Sequence, residues 1–322
     1  MNRLVIIGNG FDIAHGLPTQ YWDFRTYLEH VAYDFLQAFE EHYYIYPNMS
    51  DDAKKKLLWN ELETNLANID EDIIIENATS IEMDLESGDV GIEDTLYDYF
   101  TKEYQYINKL AVYLKRWIRT IKIRDTLPKV SLINKDNRDL YINFNYTATL
   151  EKVYGISDSS VIHIHGSLRD YTDDPVLGHG NLARIEAIGQ KQKSAEEVFD
   201  EKEISICKVV KDYYRTTLKD INRYMYNLQR IANEDITEII VAGHSLAGID
   251  MPYFSNIDLL SGKNVVWTLI WFDPNKMNSM RQSLIDAGID EDRIQLKPAN
   301  EFYDLQDEEA AKRKAFEIKY GF

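Results

Sequence analysis

Apolar residues gather in six runs of strand length: Leu4–Ile7, Leu140–Phe144, Val161–Ile164, Ile239–Val241, Val265–Phe272 and Ile294–Leu296. Ile and Val dominate these runs and polar residues seldom alternate into them, which is the pattern of strands buried on both faces of a sheet. The stretches between them carry helical period instead. Phe24, Leu28, Val31, Phe35, Ala38 and His42 step by four and three, as do Phe100, Tyr104, Ile107, Ala111, Leu114, Ile118 and Ile121. Each series predicts one stripe of a long helix.

Strands separated by helices imply parallel crossovers. The predicted fold is therefore α/β, a Rossmann-like parallel sheet with large helical insertions. Its core takes residues 1–19, 136–183 and 236–300. Residues 20–135 form one helical insertion, 184–235 a second, and 301–322 a C-terminal tail whose charged stretch Asp307–Lys319 reads as a helix that either packs or frays.

Composition narrows the function classes. The chain carries 36 Lys and Arg against 54 Asp and Glu, a formal charge of −18. That balance repels phosphate backbones and argues against general nucleic-acid binding, so an anionic ligand needs a local device to hold it. A single cysteine, Cys207, excludes an internal disulfide and cysteine-based zinc modules, and points to the cytoplasm. No run approaches the length needed to cross a bilayer, and the opening MNRLVIIGNG lacks the apolar stretch of a signal peptide. Charge is also uneven: residues 51–98 hold fifteen acids and three lysines, whereas 109–138 hold nine basic residues and two acids. These stretches are either solvated faces or complementary surfaces of a salt-sensitive homo-oligomer.

Four polar motifs each follow a predicted strand: Gly8-Asn9-Gly10, Asn143-Phe144-Asn145-Tyr146-Thr147, His163-Ile164-His165-Gly166-Ser167 and Gly243-His244-Ser245. In an open parallel sheet, ligands bind outside the carboxyl ends of the strands, so one rim bearing all four is a functional cleft. Gly8 and Gly10 allow a phosphate or ribose to approach backbone N–H groups, although a tight strand-to-helix turn without ligand has the same sequence. The dinucleotide fingerprint wants a third glycine at position 13, where Ile13 stands; the next is Gly16, followed by Pro18 and Thr19, a helix N-cap.

The frame Gly8-x-Gly10…Gly16-x-Pro18 resembles the nucleotide-binding opening of sirtuins. Asn145 resembles the central asparagine of their Thr-Gln-Asn-Ile-Asp segment, His165-Gly166-Ser167 their His-Gly, and Gly243-His244-Ser245-Leu246 their Gly-Thr-Ser-Leu. The wording GNGFDIAHGLPT, followed by Tyr21 and Asp23-Phe24, resembles most the bacteriophage abortive-infection AbiH family, within the sirtuin-like Rossmann proteins. The resemblance spans residues 4 to 250. It implies a dinucleotide ligand contacted by Gly8, Asn9, Gly10, Phe11, Gly16, Pro18, Thr19, Gly166, Ser167, Gly243, His244 and Ser245, and a role in antiphage defence with a phage-derived trigger. The sirtuin zinc module is absent, and Asn9, Asp12, Thr19-Gln20-Tyr21 and Thr147 depart from the deacylase pattern, which argues against protein deacylation.

The chemistry stands on residue types as well. Cleaving the nicotinamide–ribose bond of NAD or NADP builds positive charge on the ribose carbon, and calls for carboxylate or carbonyl groups, an oriented water and a base near the ribose hydroxyls. Asp12, Asn145 and His165 supply these, and no metal is expected. Each has a structural alternative: a helix-start acid for Asp12, a turn asparagine for Asn143 and Asn145, a core histidine for His165. His163, two residues away on the same strand face, admits a metal; His179 lines the cleft or a glycine-flanked loop. Asp273, at the end of the fifth run, meets an adenosine ribose or starts a turn before Pro274. Ile239–Gly248 mimics a strand-to-helix nucleophile elbow around Ser245, with Ala247 in place of the last glycine, but His244 is the last histidine, against the order that fold requires. The leading function is an NAD(P) glycohydrolase, and the alternative is a catalytically silent nucleotide-binding sensor. Less favoured is a metal-dependent or serine hydrolase.

Overall fold

A computed structural model describes residues 2–68, 106–166, 177–219, 221–222, 225–246 and 248–320. Ser167, most of the acidic stretch (69–98) and the start of the second helical stripe (100–105) lie outside the described residues.

All six apolar runs form strands: β1 (Asn2–Ile7), β2 (Leu140–Asn143), β3 (Val161–His163), β4 (Ile236–Ala242), β5 (Val266–Trp271) and β6 (Ile294–Pro298). They make one all-parallel sheet in the order β3-β2-β1-β4-β5-β6. Period-two alternation sends successive residues to opposite faces, and both faces are covered. Leu4, Ile6, Ile142, Ile239, Val241, Trp267 and Leu269 share one core cluster with Phe254 and Leu284; Val5, Ile7, Tyr141, Ile240 and Ala242 share the other with Phe11, Leu150 and Phe302. The buried stretches of β1 and β4, Leu4–Ile7 and Ile239–Ala242, therefore read as unbroken apolar runs, whereas the edge strand β6 carries Gln295 and Lys297. At the amino end of the sheet, Asp139 accepts hydrogen bonds from the Arg3 backbone amide (3.0 Å), Nε (3.2 Å) and Nη2 (2.8 Å), which pins β1 beside β2.

Helices among the described residues are α1 (Asn9–Ala14), α2 (Tyr21–Val31), α3 (Tyr33–Glu41), α4 (Asp51–Leu57), α5 (Leu62–Asn65), α6 (Tyr106–Ile118), α7 (Thr149–Tyr154), α8 (Leu182–Glu197), α9 (Glu201–Thr216), α10 (Met251–Leu260), α11 (Met277–Asp286), α12 (Ala299–Phe302) and α13 (Glu308–Tyr320). The stripe from Phe24 to His42 is two helices rather than one, because the backbone leaves the helical region at Ala32 (φ −154°, ψ 52°). Past that break the buried face moves on by one residue, to Leu36 and Phe39, and leaves Val31 and Ala38 of the predicted stripe exposed. The tail helix α13 packs, with Ile318 against the sheet cluster and its carbonyl accepting from Lys135 Nζ at 3.2 Å.

The chain divides into two units. The first comprises Met1–Gln20, Lys115–Val176 and Asp220–Phe322 and contains the whole sheet; the second comprises Tyr21–Leu114 and Leu177–Lys219. The second unit joins two segments far apart in sequence. Lys219 Nζ donates to Glu63 Oε2 at 2.6 Å, and the Tyr43 and Tyr213 hydroxyls lie 3.4 Å apart. Its buried Glu40 accepts from Arg25 Nε and Trp59 Nε1, both at 2.7 Å, so that charge is paired and hydrogen-bonded.

Candidate functional site

Strand order reverses between β1 and β4, and that crevice at the carboxyl ends is where doubly wound sheets bind ligands. The first and last motifs meet there, backbone on backbone. Gly8 N–H donates to the Ala242 carbonyl (3.1 Å) and Gly10 N–H to the Gly243 carbonyl (2.7 Å). A methyl at Gly10 would lie 2.8 Å from Gly243 Cα, and one at Gly8 2.7 Å from His244 Cα. These glycines thus let two chain turns cross in contact, and their two amides serve protein carbonyls rather than a phosphate. Phe11 is fully buried between His15, Tyr154 and Tyr303. Gly16, at φ 77°, ends α1 in the left-handed conformation, with Gly16 N–H donating to Ile13 O at 2.9 Å. Gly16 and Pro18 are exposed, as is Asn9, whose Nδ2 donates to the Thr19 carbonyl at 2.9 Å. Thr19 caps nothing: α2 starts at Tyr21, and the Thr19 hydroxyl is without a hydrogen-bond partner.

Asn143 closes β2 as a turn asparagine. Its Oδ1 accepts the Asn145 N–H (2.8 Å) and its Nδ2 donates to the Thr147 carbonyl (2.9 Å). This turn aims Asn145 Nδ2 at the Gly8 carbonyl, 3.0 Å away, and so ties the second motif to the first. Asp12 completes the tie: Thr149 Oγ1 donates to its Oδ1 at 2.7 Å and Thr147 Oγ1 to its Oδ2. Burial pushes the Asp12 carboxyl up to about 6, against the opposing pull of hydrogen bonds from Thr147, Thr149 and Asn145. Nearby, burial drives His15 down to about 4; its ring lies between the Phe11 carbonyl (2.7 Å) and the Tyr154 hydroxyl (2.6 Å).

These two shifts have opposite consequences for stability. Between pH 3.8 and about 6 the folded protein holds more protons on Asp12 than the unfolded chain does, so stability falls as pH rises through that window. His15 binds fewer protons folded than unfolded between about 4 and 6.5, so its contribution is lost as pH falls. Asp12→Asn removes the first and leaves the second. Denaturant unfolding from pH 6.5 to 4 is expected to show the variant losing more stability on acidification than the wild type, by the order of 3 kcal/mol. Parallel acid profiles would contradict the buried, proton-retaining carboxyl.

The third motif separates its two histidines. His163, the last residue of β3, faces α7, where its Nε2 lies 2.8 Å from Glu151 Oε1. The chain bends after β3, and His165 turns instead to the other layer, beside Phe144 (5.4 Å between ring centres) and Tyr253 (6.0 Å). The shared strand face expected for His163 and His165 is therefore lost where the strand ends. Among the described residues no group of three or more His, Cys, Asp or Glu side chains is arranged to hold a metal ion. Gly166 is buried at φ 85°.

His165 meets a residue that sequence reasoning missed. Its Nε2 lies 3.3 Å from Asp250 Oδ1, and His244 Nε2 lies 3.4 Å from Asp250 Oδ2. Asp250 follows the fourth motif by five residues, directly before α10. An acid seven residues beyond the strand-end glycine, next to a helix start with Pro252, was the available signal. Here the backbone is strained: Leu246, buried, sits at φ 53° and its N–H donates to His244 Nδ1 at 3.0 Å. Ser245 is exposed and has no positive φ, unlike the nucleophile of an elbow. Both His244 nitrogens face other groups, which leaves Ser245 without that neighbour as its base.

Two remaining positions take structural roles. Asp273 is exposed, and its Oδ1 accepts from the Asn275 amide at 2.9 Å, as a turn-starting acid does. His179 is buried in the second unit, bridged to Leu218, with its Nδ1 accepting from Asn181 N–H at 3.1 Å. A cavity of about 580 Å³ opens beside the end of the first motif, lined by His15, Leu17, Pro18, Trp117, Lys122 and Lys129 among others. No helix of the described residues is long and apolar enough to cross a membrane.

A family model described as bacteriophage abortive infection AbiH matches residues 4–271, which takes in all four motifs and Asp250. No curated protein and no solved structure matches the chain significantly.

Proposed function

We propose, since the chain belongs to the bacteriophage abortive infection AbiH family, that it acts in abortive infection as an NAD(P) glycohydrolase on a sirtuin-like Rossmann core. The observation that supports this most is that the carboxyl ends of the strands carry two buried polar clusters, Asp12 and Asn145 tied to the Thr147–Thr149 segment and Gly8, and His165 and His244 against Asp250. Water replaces nicotinamide at the ribose carbon, giving nicotinamide, ADP-ribose and a proton. Asn145 orients the ribose or the attacking water, and His165 accepts a proton from a ribose hydroxyl. Asp12 acts from behind Asn145, its charge favouring the developing cation. Asn9 and Ser245, both exposed at the rim, contact the dinucleotide, and a phage-derived trigger starts the reaction.

The test is intracellular NAD and NADP during phage infection. Cells carrying the wild-type chain are expected to lose both, while Asn145→Ala cells keep theirs. Equal depletion in the two strains would refute the assignment. A second reading, a nucleotide-binding sensor without chemistry, draws on the commitment of Asn145 and Asp12 to protein partners; it predicts NAD binding by calorimetry with no depletion.

Ser245→Ala distinguishes a rim residue that touches the dinucleotide from a serine nucleophile. Removing one hydrogen bond to the ligand costs about 0.5–1.5 kcal/mol, so NAD affinity is expected to weaken by roughly tenfold or less with turnover preserved. A fall of several orders of magnitude in rate would instead mark Ser245 as the nucleophile.

A further inference from the structure

We propose that the tip of the α8–α9 hairpin is a docking knob whose partner is a second copy of this chain, and that the cavity beside Leu17 and Pro18 of that copy receives Val198 and Phe199.

The hairpin is firmly built and ends in an apolar point. Lys191 Nζ lies 3.4 Å from Glu203 Oε1, and Lys211 Nζ donates to Gln192 Oε1 at 3.4 Å, which clasps α8 against α9. At the turn Val198 and Phe199 are 73% and 84% exposed, more than any other large apolar side chain among the described residues. Folding gains nothing from burying them. Phe199 also has an unfavourable backbone: two residues past the end of α8 it stands at φ 58°, the left-handed position where glycine is the usual residue. The Phe199 N–H donates to the Glu196 carbonyl (3.3 Å) and the Asp200 N–H to the Ala195 carbonyl (3.0 Å), the two bonds of a Schellman motif. Asp200 Oδ1 then caps α9 by accepting the Glu203 N–H at 3.0 Å. The tip is therefore shaped before any partner arrives. A bulky ring held at a glycine position and left exposed to water points to a contact with another molecule.

The charges around the ring describe the surface it fits. Glu196, Glu197, Asp200 and Glu201 are all exposed beside it in the chain, against one lysine, Lys202. The receiving site needs an apolar floor and a basic rim. This chain carries such a site. The cavity of about 580 Å³ lies within the sheet-bearing unit, with Leu17, Pro18 and Trp117 as apolar wall and Lys122 and Lys129 against a single acid, Asp125. Neither of these two ammonium groups forms an ion pair among the described residues. Both lie in the basic stretch 109–138 of a chain whose net charge is −18, and the acidic tip of a second copy supplies their counter-charge. Pockets of roughly 300–1,000 Å³ hold whole small molecules, so this one admits a phenyl ring and its neighbour. Two side chains and their collar make a contact smaller than the roughly 1,200–2,000 Å² of a stable complex, so the association is weak and salt-sensitive.

Sedimentation of the full chain over protein concentrations up to about 1 mM, at low and at high salt, reads the association. The average mass of the wild type is expected to rise with concentration at low salt and to return toward the monomer at high salt. Phe199→Gly removes the ring and suits the left-handed backbone, so its melting temperature should not fall, yet it should associate at least about tenfold more weakly. Lys122→Glu, at an exposed position on the cavity rim, should weaken association to a similar degree. Mixing the two variants separates this contact from any other self-association. One keeps the cavity and the other keeps the knob, so the mixture should associate more strongly than either variant alone, in pairs of one copy of each. A wild type that stays monomeric at low salt, either variant associating like the wild type, or a mixture no heavier than its parts would overturn the proposal.

Discussion

Gly243→Ala is expected to destabilise the sheet-bearing unit by at least about 3 kcal/mol, enough to leave much of the protein unfolded at modest temperature. Two costs add at this residue. Its φ of 72° lies in the left-handed region, which a residue with a Cβ adopts at about 1–2 kcal/mol. The new methyl would also lie 2.1 Å from the Phe11 amide nitrogen and 2.6 Å from the Gly10 carbonyl carbon, so α1 must move off the end of β4. Gly16→Ala separates the two. Its φ is 77°, yet nothing lies within 4 Å of an added methyl, so strain alone remains and about 1 kcal/mol is expected. Urea midpoints of the two variants measure the difference. Equal destabilisation would show that the close crossing of the first and last motifs contributes nothing.

His165→Gln, which keeps most of the ring's volume, is expected to lower nicotinamide release at least about a hundredfold with the fold unchanged. The residue is 4% exposed, held among Phe144, Tyr146 and Tyr253 with Asp250 at its Nε2, so its orientation is set before any ligand arrives. Glutamine retains an amide to hydrogen-bond but no group that binds a proton near neutral pH. A near-normal rate in the folded variant would make His165 a core histidine, the alternative its sequence also allows.

The sheet was legible because strands buried on both faces are unbroken apolar runs, and the shortness of Leu4–Ile7 and Ile239–Val241, their Ile and Val content and the glycines that follow them favour strand over buried helix. The break at Ala32 was not, since Val31 and Phe35 keep the four-three spacing in sequence although Val31 is exposed and the buried positions beyond the break are Leu36 and Phe39. Nor did sequence separate the two meanings of Gly8 and Gly10: a glycine that admits a phosphate and one that admits another backbone look alike, and the Gly243 carbonyl that meets Gly10 is more than two hundred residues away. Asn143 and Asn145 show the same limit. Both can close a turn, and only the turn's geometry sends the first to the backbone and the second to Gly8. Asp250 escaped because it belongs to no periodic run; it gains meaning from two histidines brought together by strands β3 and β4.

Cleavage of the nicotinamide–ribose bond at the β1–β4 switch point is tested most directly by chromatography of NAD incubated with purified protein and an extract of phage-infected cells, quantifying nicotinamide and ADP-ribose together. Nicotinamide and ADP-ribose released in equal amounts by the wild type, and by neither His165→Gln nor Asn145→Ala, is the predicted result; intact NAD with the wild type, or equal release by the folded variants, would contradict it.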